Sequence, residues 1–509
     1  MGDLQTLTWQ DLWTLAPELV LVAASVVLLL AEMLMPPRVN RDLIGWLVLL
    51  ALAVSAALVG AHMAELQAAG DGARQTVSLL GGTYRIDDFG NILKLVMLAA
   101  AGLVVLFSLG TVRQEDIPIR GDYYSLILPA VLGAMIMASS GELITLYVGL
   151  ELLSVTTYVL VAVRKRSAAS GEAAFKYLVS GGVASAFILY GMSYLYGVTG
   201  STHLGEIGRS VMSGSEAFGA LADVGFYLLL AGLALKLALA PFHFWAADVY
   251  QGAPTPVAAL LAVVTKGAVL AMAYRMLANT VGFSEGALRS DVMLALAALA
   301  AAAMIIGTAG ALRQTETKRL LALSGVANAG ILVVPLTLNL NGIYTSLFSE
   351  FVYYLIAYLF MNAGAFAVVA VVERTEGHSG LSAFAGLYHR APWTAGAMTV
   401  LLCSLAGLPI TGGFFGKLFI LFGTVQTRAY WLAAILLATT VVSYYVYFRI
   451  IRQMYMRSGH NDEKLPVPGP AGIVIWISAL ASLALGVLPR PVLTWIDTVF
   501  SVPVDLLVR

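Results

Sequence analysis

One cysteine, Cys403, is all the thiol in a chain of 509 residues. A disulfide framework, or an iron–sulfur cluster held by this chain alone, is thereby excluded. Cys403 sits in an apolar run and reads as packing. Charge is nearly as scarce: 11% of the residues carry it, against about 25% in a soluble domain. Lys+Arg and Asp+Glu are equal at 29 each, so there is no basic footprint for nucleic acid. No GxxxxGK[ST] loop occurs, and with it goes any visible site for ATP hydrolysis. The opening MGDLQTLTWQDLW lacks a basic stretch, and the first apolar run is expected to stay as a helix instead of being cleaved as a leader.

What the chain has instead is long hydrophobic runs. Sixty per cent of it is hydrophobic, with a mean hydropathy of +0.86. The fold class that follows is an all-α polytopic membrane protein. A span needs about 20 mostly apolar residues, and about fourteen stretches qualify: 15–35, 43–66, 90–110, 123–139, 142–163, 172–198, 223–251, 255–280, 290–311, 317–337, 343–372, 392–426, 428–456 and 469–489. The tail PVLTWIDTVFSVPVDLLVR is expected to lie in the membrane interface. With Lys318, Arg319, Arg428, Arg449 and Arg452, toward the ends of their spans, assigned to the adjoining connections, sixteen of the 29 Lys and Arg fall in odd-numbered connections, seven in even-numbered ones and the two ends, and six inside spans. Basic residues mark cytoplasmic loops, which puts both termini on the outer side and requires an even number of spans. Fourteen satisfies this, as would twelve.

Charges within the membrane are costly and are functional by default. Several have structural explanations. Glu172 and Glu142 lie where helices begin, and a carboxylate is favoured there. Lys94, Glu32 and Arg275 are near span ends and are expected to snorkel to the interface. Four are harder to explain away, because apolar sequence flanks them on both sides: Glu151 in the fifth span, Lys236 in the seventh, Lys266 in the eighth and Lys417 in the twelfth. Their remaining structural reading is a buried ion pair. Lys176, at the start of the sixth span, joins the candidates.

Two spans read as broken. Ala240-Pro241 interrupts the seventh, and Pro409 with Gly412-Gly413 interrupts the twelfth. Irregular backbone at membrane depth is tolerated only where protein or a water-filled cavity surrounds it. Interrupted spans at matching places point to inverted repeats, here two five-helix repeats. The resulting division is 1–122 (three N-terminal helices), 123–280 (helices four to eight), 290–456 (helices nine to thirteen) and 457–509 (last helix and tail). SGEAAFKYL and FSEFVYYLI echo one another weakly across the two, aligning Glu172 with Glu350. Burial lowers the proton affinity of a lysine and a nearby carboxylate raises it. A lysine held between those effects can exchange a proton when its partner moves. Glu151 is the natural partner for Lys236, with Lys266 and Lys417 extending a relay. His243 lies seven residues from Lys236, on the same face of an unbroken helix, and is a further relay candidate.

The run LKLALAPFHFWAADVYQGAPTPVAALLAVVTKGA, together with EAAFKYLVSGGVASAFILYGMSYLYGVTGS, KRLLALSGVANAGILV and LAGLPITGGFFGK, resembles the antiporter-like membrane subunits of respiratory complex I. The PFHFW and DVYQGAPTPV forms resemble subunit N of NADH-quinone oxidoreductase more than its L and M paralogues. The resemblance covers roughly residues 80–460. It implies a non-redox, proton-translocating subunit of the bacterial plasma membrane that binds no cofactor itself. FMN and iron–sulfur clusters would belong to partner subunits, and NADH and quinone would meet this chain only through the complex. It also implies the lipid bilayer and neighbouring antiporter-like subunits as partners, with no nucleic acid. The family's relay residues fall on Glu151, Lys236, Lys266 and Lys417, and its sixth-helix lysine on Lys176; His243 receives no role from it. The resemblance further implies that Lys236 sits by Glu151. The alternative reading is a subunit of a multisubunit cation/proton antiporter. A third makes the chain a membrane scaffold whose charges only lock helices together.

Overall fold

A computed structural model describes residues 8–36, 39–68, 76–212, 219–281, 287–338, 345–459, 463–500 and 505. Thirteen helices among these are long and apolar enough to cross a membrane. They match the expected spans one to eleven, thirteen and fourteen, from Ala16–Leu34 to Gly469–Val487. The expected twelfth is present as two shorter apolar pieces, Pro392–Ala406 and Gly412–Gln426. The chain is a multi-pass helical membrane protein.

One departure from all-α structure sits in the second connection. Val77–Leu79 and Tyr84–Ile86 pair antiparallel, with Leu79 opposite Tyr84. Leu80, Gly81 and Gly82 all have positive φ in the turn between them. The hairpin packs against the third and fourth spans and carries Tyr84 into the interior, where its hydroxyl donates to Glu18 of the first. The tail forms Pro489–Val499, with Ile496 and Val499 buried and Trp495 exposed. That helix is amphipathic, as an interfacial segment must be.

The spans differ in what surrounds them. Thr255–Thr280 is wholly enclosed by other helices, whereas Ala16–Leu34 and Tyr430–Met456 are only 22% and 28% buried. Lipid is as apolar as leucine, so close packing supplies much of the cohesion between helices. Glycines provide that closeness. A Cβ on Gly133 would lie 2.6 Å from the Gly149 carbonyl oxygen, and one on Gly191 2.7 Å from that of Gly225.

The seventh span breaks earlier than the proline alone would dictate. Gly219–Leu237 ends at Ala238, which has φ +56°, and Ala246–Gly252 resumes the helix. The Leu239 amide donates to the Ala234 carbonyl and the Ala238 amide to Leu235. This is a Schellman end, normally closed by glycine at the left-handed residue. The twelfth span ends its first piece in the same way: Gly407 has φ +84°, Leu408 N–H donates to Cys403 and Gly407 N–H to Ser404. Pro241 and Pro409 follow each left-handed residue by three and two positions, so neither helix can resume at once.

Two charges expected to snorkel do not. Lys94 is 1% exposed; its ammonium lies 2.8 Å from Glu18 Oε1 and donates to the Tyr84 hydroxyl at 3.0 Å. Arg275 is fully buried and grips Asp87 with two bonds of 2.5 and 2.9 Å, while also donating to the carbonyls of Ala138 and Asp505. Neither snorkels, because Glu18 of the first span and Asp87, at the start of the third, bring carboxylates to them, and the hairpin adds the Tyr84 hydroxyl beside Lys94. Glu32 is tied to Arg41 at 3.1 Å.

Removing one partner of a buried ion pair leaves the other charge uncompensated, at a cost of about 3–5 kcal/mol. Asp87→Ala should therefore lower the thermal stability of the assembled protein by an amount of that order, read as loss of folded protein on heating in detergent. Adding Arg275→Met should restore much of it; no recovery would mean the two residues are energetically uncoupled.

Candidate functional site

Three of the lysines singled out in the sequence, Lys236, Lys266 and Lys417, meet neutral oxygens. Lys236 occupies the last turn of Gly219–Leu237, where the helix dipole is negative. Its Nζ donates to Ser154 Oγ at 2.7 Å and to Tyr158 OH at 3.4 Å, both on the fifth span. The ammonium also lies 5.9 Å from the Tyr158 ring centre. Trp245 Nε1, from across the break, donates to the Leu235 carbonyl at 3.0 Å. Trp245 stacks on Tyr177, and Tyr177 meets Tyr158 edge-on. Three aromatic rings thus link the fifth, sixth and seventh spans beside the break. Tyr158 fits only because residue 181 is glycine, where a Cβ would lie 1.9 Å from its hydroxyl.

Glu151 stands one turn before Ser154 on the same helix face. It accepts a hydrogen bond from Ser185 of the sixth span, and no ion pair joins it to Lys236 within 4.0 Å. The expected Glu151–Lys236 contact is thus an adjacency across Ser154 rather than a salt bridge. Glu151 is partly exposed, and Ile144, Val148, Val155 and Val159 around it are 48–58% exposed. A carboxylate therefore interrupts an apolar outer stripe of the fifth span.

Lys266 is buried in the enclosed eighth span, directly after a π-helical segment, Leu261–Thr265. Such bulges recur at functional sites. Its Nζ donates to the Gly325 carbonyl of the tenth span at 2.5 Å and lies 6.0 Å from the Tyr358 ring centre. A Cβ on Gly325 would lie 2.8 Å from Nζ and 3.2 Å from the Tyr358 hydroxyl.

Lys417 belongs to the second piece of the twelfth span but reaches back across the break. Its Nζ donates to the carbonyls of Leu405 and Ala406 at 2.8 and 3.1 Å. Those are among the last carbonyls of the first piece, which have no partner within the helix. Beside Lys417 lies a small cavity of about 20 Å³, with Ser324, Asn328, Thr439, Thr440 and Tyr447 in its wall, about the space of one water. Ser324 and Tyr447 are hydrogen-bonded, Asn328 donates to Ser324, and Tyr354 donates to Asn328 at 2.7 Å.

The other two candidates stand apart. Lys176 lies between two carboxylates, 2.6 Å from Asp248 and 2.7 Å from Glu172; Asp248 also holds Arg319 at 2.5 Å. His243 is half-buried inside the seventh-span break, and its Nδ1 is buried with no hydrogen-bond partner among the described residues. Neither is hydrogen-bonded to Lys236, Lys266 or Lys417. Among the described residues no three His, Cys, Asp or Glu side chains gather to hold a metal ion.

The polar side chains between the lysines escaped the sequence reading. Their signal was nevertheless present. Glu151, Ser154 and Tyr158 follow i, i+3, i+7, and Ser324 and Asn328 follow i, i+4, which aligns each set on one helix face. A second cluster went unread as well: Glu373 takes bonds from Lys318 at 3.1 Å and from Thr255, and lies 3.5 Å from Arg164.

Residues 140–443 match the family model described as NADH:quinone oxidoreductase/Mrp antiporter, transmembrane. The chain is 54% identical to the NADH-quinone oxidoreductase subunit N of Paenibacillus sp. (strain JDR-2), over the full length of both. It is similar to a chain of respiratory complex I from Thermus thermophilus, solved with bound aureothin: TM-score 0.78 and 31% identity, covering 94% of this chain and 98% of that one. A chain of the Mrp complex from Dietzia sp. DQ12-45-1b shares the fold, with TM-score 0.81 at 19% identity and 98% coverage of both. Likeness of sequence and of fold over the whole length of these chains has one consequence: this chain belongs to the NADH-quinone oxidoreductase subunit N family.

Proposed function

We propose that the chain is the proton-translocating membrane subunit N of a bacterial NADH-quinone oxidoreductase, and that protons pass along a relay of Glu151, Lys236, Lys266 and Lys417. NADH oxidation and quinone reduction take place in partner subunits that hold FMN and iron–sulfur clusters. This chain adds no redox chemistry and answers electron transfer by moving protons. Neighbouring antiporter-like subunits of the membrane arm adjoin it. The exposed stripe around Glu151 supports a neighbour there, since a carboxylate facing lipid is costly.

One observation carries the relay. Among the described residues, the interior lysines and Arg275 fall into two sets. Lys94, Arg275 and Lys318 each have a carboxylate within about 3 Å. Lys236, Lys266 and Lys417 have only hydroxyls, carbonyls and rings. A carboxylate partner stabilises an ammonium and holds its proton; neutral acceptors stabilise it far less. An amine that loses one proton still has hydrogens for the same carbonyl or hydroxyl. The three lysines can therefore change charge without losing their hydrogen bonds. In this scheme a shift of Glu151 toward Lys236 favours the ammonium, and its withdrawal favours release toward Lys266.

Lys176 belongs to the other class. Its two carboxylates make it an ion-paired latch between the sixth span and the second piece of the seventh. His243, inside the break, is kept as a relay member between Lys236 and Lys266. We propose also that the chain is built of two inverted five-helix repeats, supported by the matched Schellman ends of the seventh and twelfth spans. The antiporter alternative shares the fold, but a relative 54% identical over the full chain and named for the oxidoreductase favours the first reading.

Lys236→Ala should abolish NADH-driven proton pumping in membrane vesicles and greatly slow NADH:quinone turnover, while the complex remains assembled. Lys236→Arg should be nearly as defective, because a guanidinium keeps its positive charge but does not release its proton in proteins. Wild-type pumping in both would remove Lys236 from the path, and loss of assembly in both would favour the scaffold role. The orientation is tested separately. A periplasm-dependent reporter fused after residue 509 should be active and a cytoplasm-dependent one silent; the reverse would invert the topology.

A further inference from the structure

The proposed relay ends at Lys417, well inside the protein, and a proton there needs a route to water. The eleventh span, Thr345–Glu376, carries a carboxylate that no part of the relay uses. Glu350 is partly buried, and its Oε2 is buried without a hydrogen-bond partner among the described residues. Two lysine-bearing spans converge on it. From the twelfth, Gly423 faces it so closely that a Cβ there would lie 2.8 Å from Oε2. Gly423 is six residues beyond Lys417, about 9 Å along the axis. From the eighth comes Tyr274, two turns beyond Lys266, whose ring packs 4.5 Å from that of Phe351, the residue after Glu350, and whose hydroxyl is likewise buried without a partner among the described residues. On the other side is Asp497, on the exposed face of Pro489–Val499. Asp497 accepts a hydrogen bond from Ser349, the residue before Glu350.

A hydrogen-bond-free carboxylate oxygen inside a protein is expensive to keep. Here it has a use, as an acceptor open toward the lysines whose next carboxylate is at the surface. The groups around it are Tyr274 from the eighth span, Asp497 from the terminal helix and the uncharged Gly423 from the twelfth. We propose that Glu350 takes up protons released by the buried lysines and passes them by way of Asp497 to water at the face bearing the even-numbered connections. The step is proton transfer only. An N–H of an ammonium breaks, an O–H forms on Glu350, and that proton then moves to Asp497 or water. The gap between Lys417 and Glu350 is crossed through water or the Tyr274 hydroxyl, and no oxidant or reductant is involved.

This inference rests on the proton-translocating reading, and its test separates the two. The assembled complex, reconstituted in lipid vesicles, is compared as wild type, Glu350→Gln, Glu350→Asp, Asp497→Asn and Lys236→Ala. Glu350→Gln should pump about tenfold or more slowly, a modest loss for a positioned proton carrier. Glu350→Asp should recover most of the rate, and pH-difference infrared spectra should lose a protonated-carboxyl band in Glu350→Gln alone. Wild-type pumping by Glu350→Gln overturns the proposal. So does an aspartate variant as defective as the glutamine one with the band unchanged, because the residue is then structural. Should Glu350→Gln not assemble, Asp497→Asn decides: slowed pumping supports the route, an unchanged rate overturns it. If Lys236→Ala also pumps normally, the translocating reading itself has failed; if only Glu350→Gln does, that reading stands and the exit lies elsewhere.

Discussion

A helix that stops inside a membrane leaves backbone carbonyls with no water to take them, and the architecture here follows from how those carbonyls are met. Each unsatisfied group in hydrocarbon costs several kcal/mol. At the seventh-span break, two amides fold back in a Schellman turn and Trp245 covers Leu235. At the twelfth, the same turn forms and Lys417 covers Leu405 and Ala406. The lysine is thus part of what makes the break tolerable, and the break is what gives a lysine neutral oxygens to hold.

The same constraint sorts the charged interior. Where the backbone is continuous, its carbonyls are already used, and a buried cation must find a carboxylate, as Lys94 finds Glu18 and Arg275 finds Asp87. Lys266 is the informative intermediate. It has no broken helix beside it, but the π-helical turn before it shifts the register, and the missing side chain at Gly325 opens a carbonyl on the next helix. One ammonium is held by a helix terminus, another by a shared carbonyl and a third by a hydroxyl pair. None of these arrangements fixes the proton as an ion pair does.

Much of this was legible in the sequence, because apolar runs must cross the membrane and basic residues concentrate between them. The spans emerged within a few residues, and Pro241 and Pro409 marked the two breaks. The point of termination did not emerge: Ala238 adopts the left-handed conformation that glycine takes at 407, and nothing in LALKLALAP announces it. The short hairpin was missed for a related reason. VSLLGGTYRI is too brief for periodicity to register, and its importance lies in Tyr84 joining Lys94 to Glu18, which lies 66 residues before the tyrosine. Arg275 misled in the same way. Its position near a span end is compatible with snorkelling, and only the fold shows Asp87 waiting 188 residues earlier.

The wholly enclosed eighth span also constrains how the protein is made. Lys266 and Arg275 both lie on it, and a charge at the centre, as Lys266 is, costs about 2.5–3.5 kcal/mol on entering a bilayer as part of an isolated helix. The segment is therefore poorly suited to insert unaided. The carboxylate that neutralises Arg275 belongs to the turn before the third span, synthesised long before, whereas the carbonyl that receives Lys266 belongs to the tenth span, synthesised afterwards. During biosynthesis the eighth helix can dock at one end on a surface already in the membrane, while its other charge stays unmet until two more helices have emerged. The order of the chain thus makes the arginine near the end of the span an early anchor and leaves the central lysine to be enclosed last.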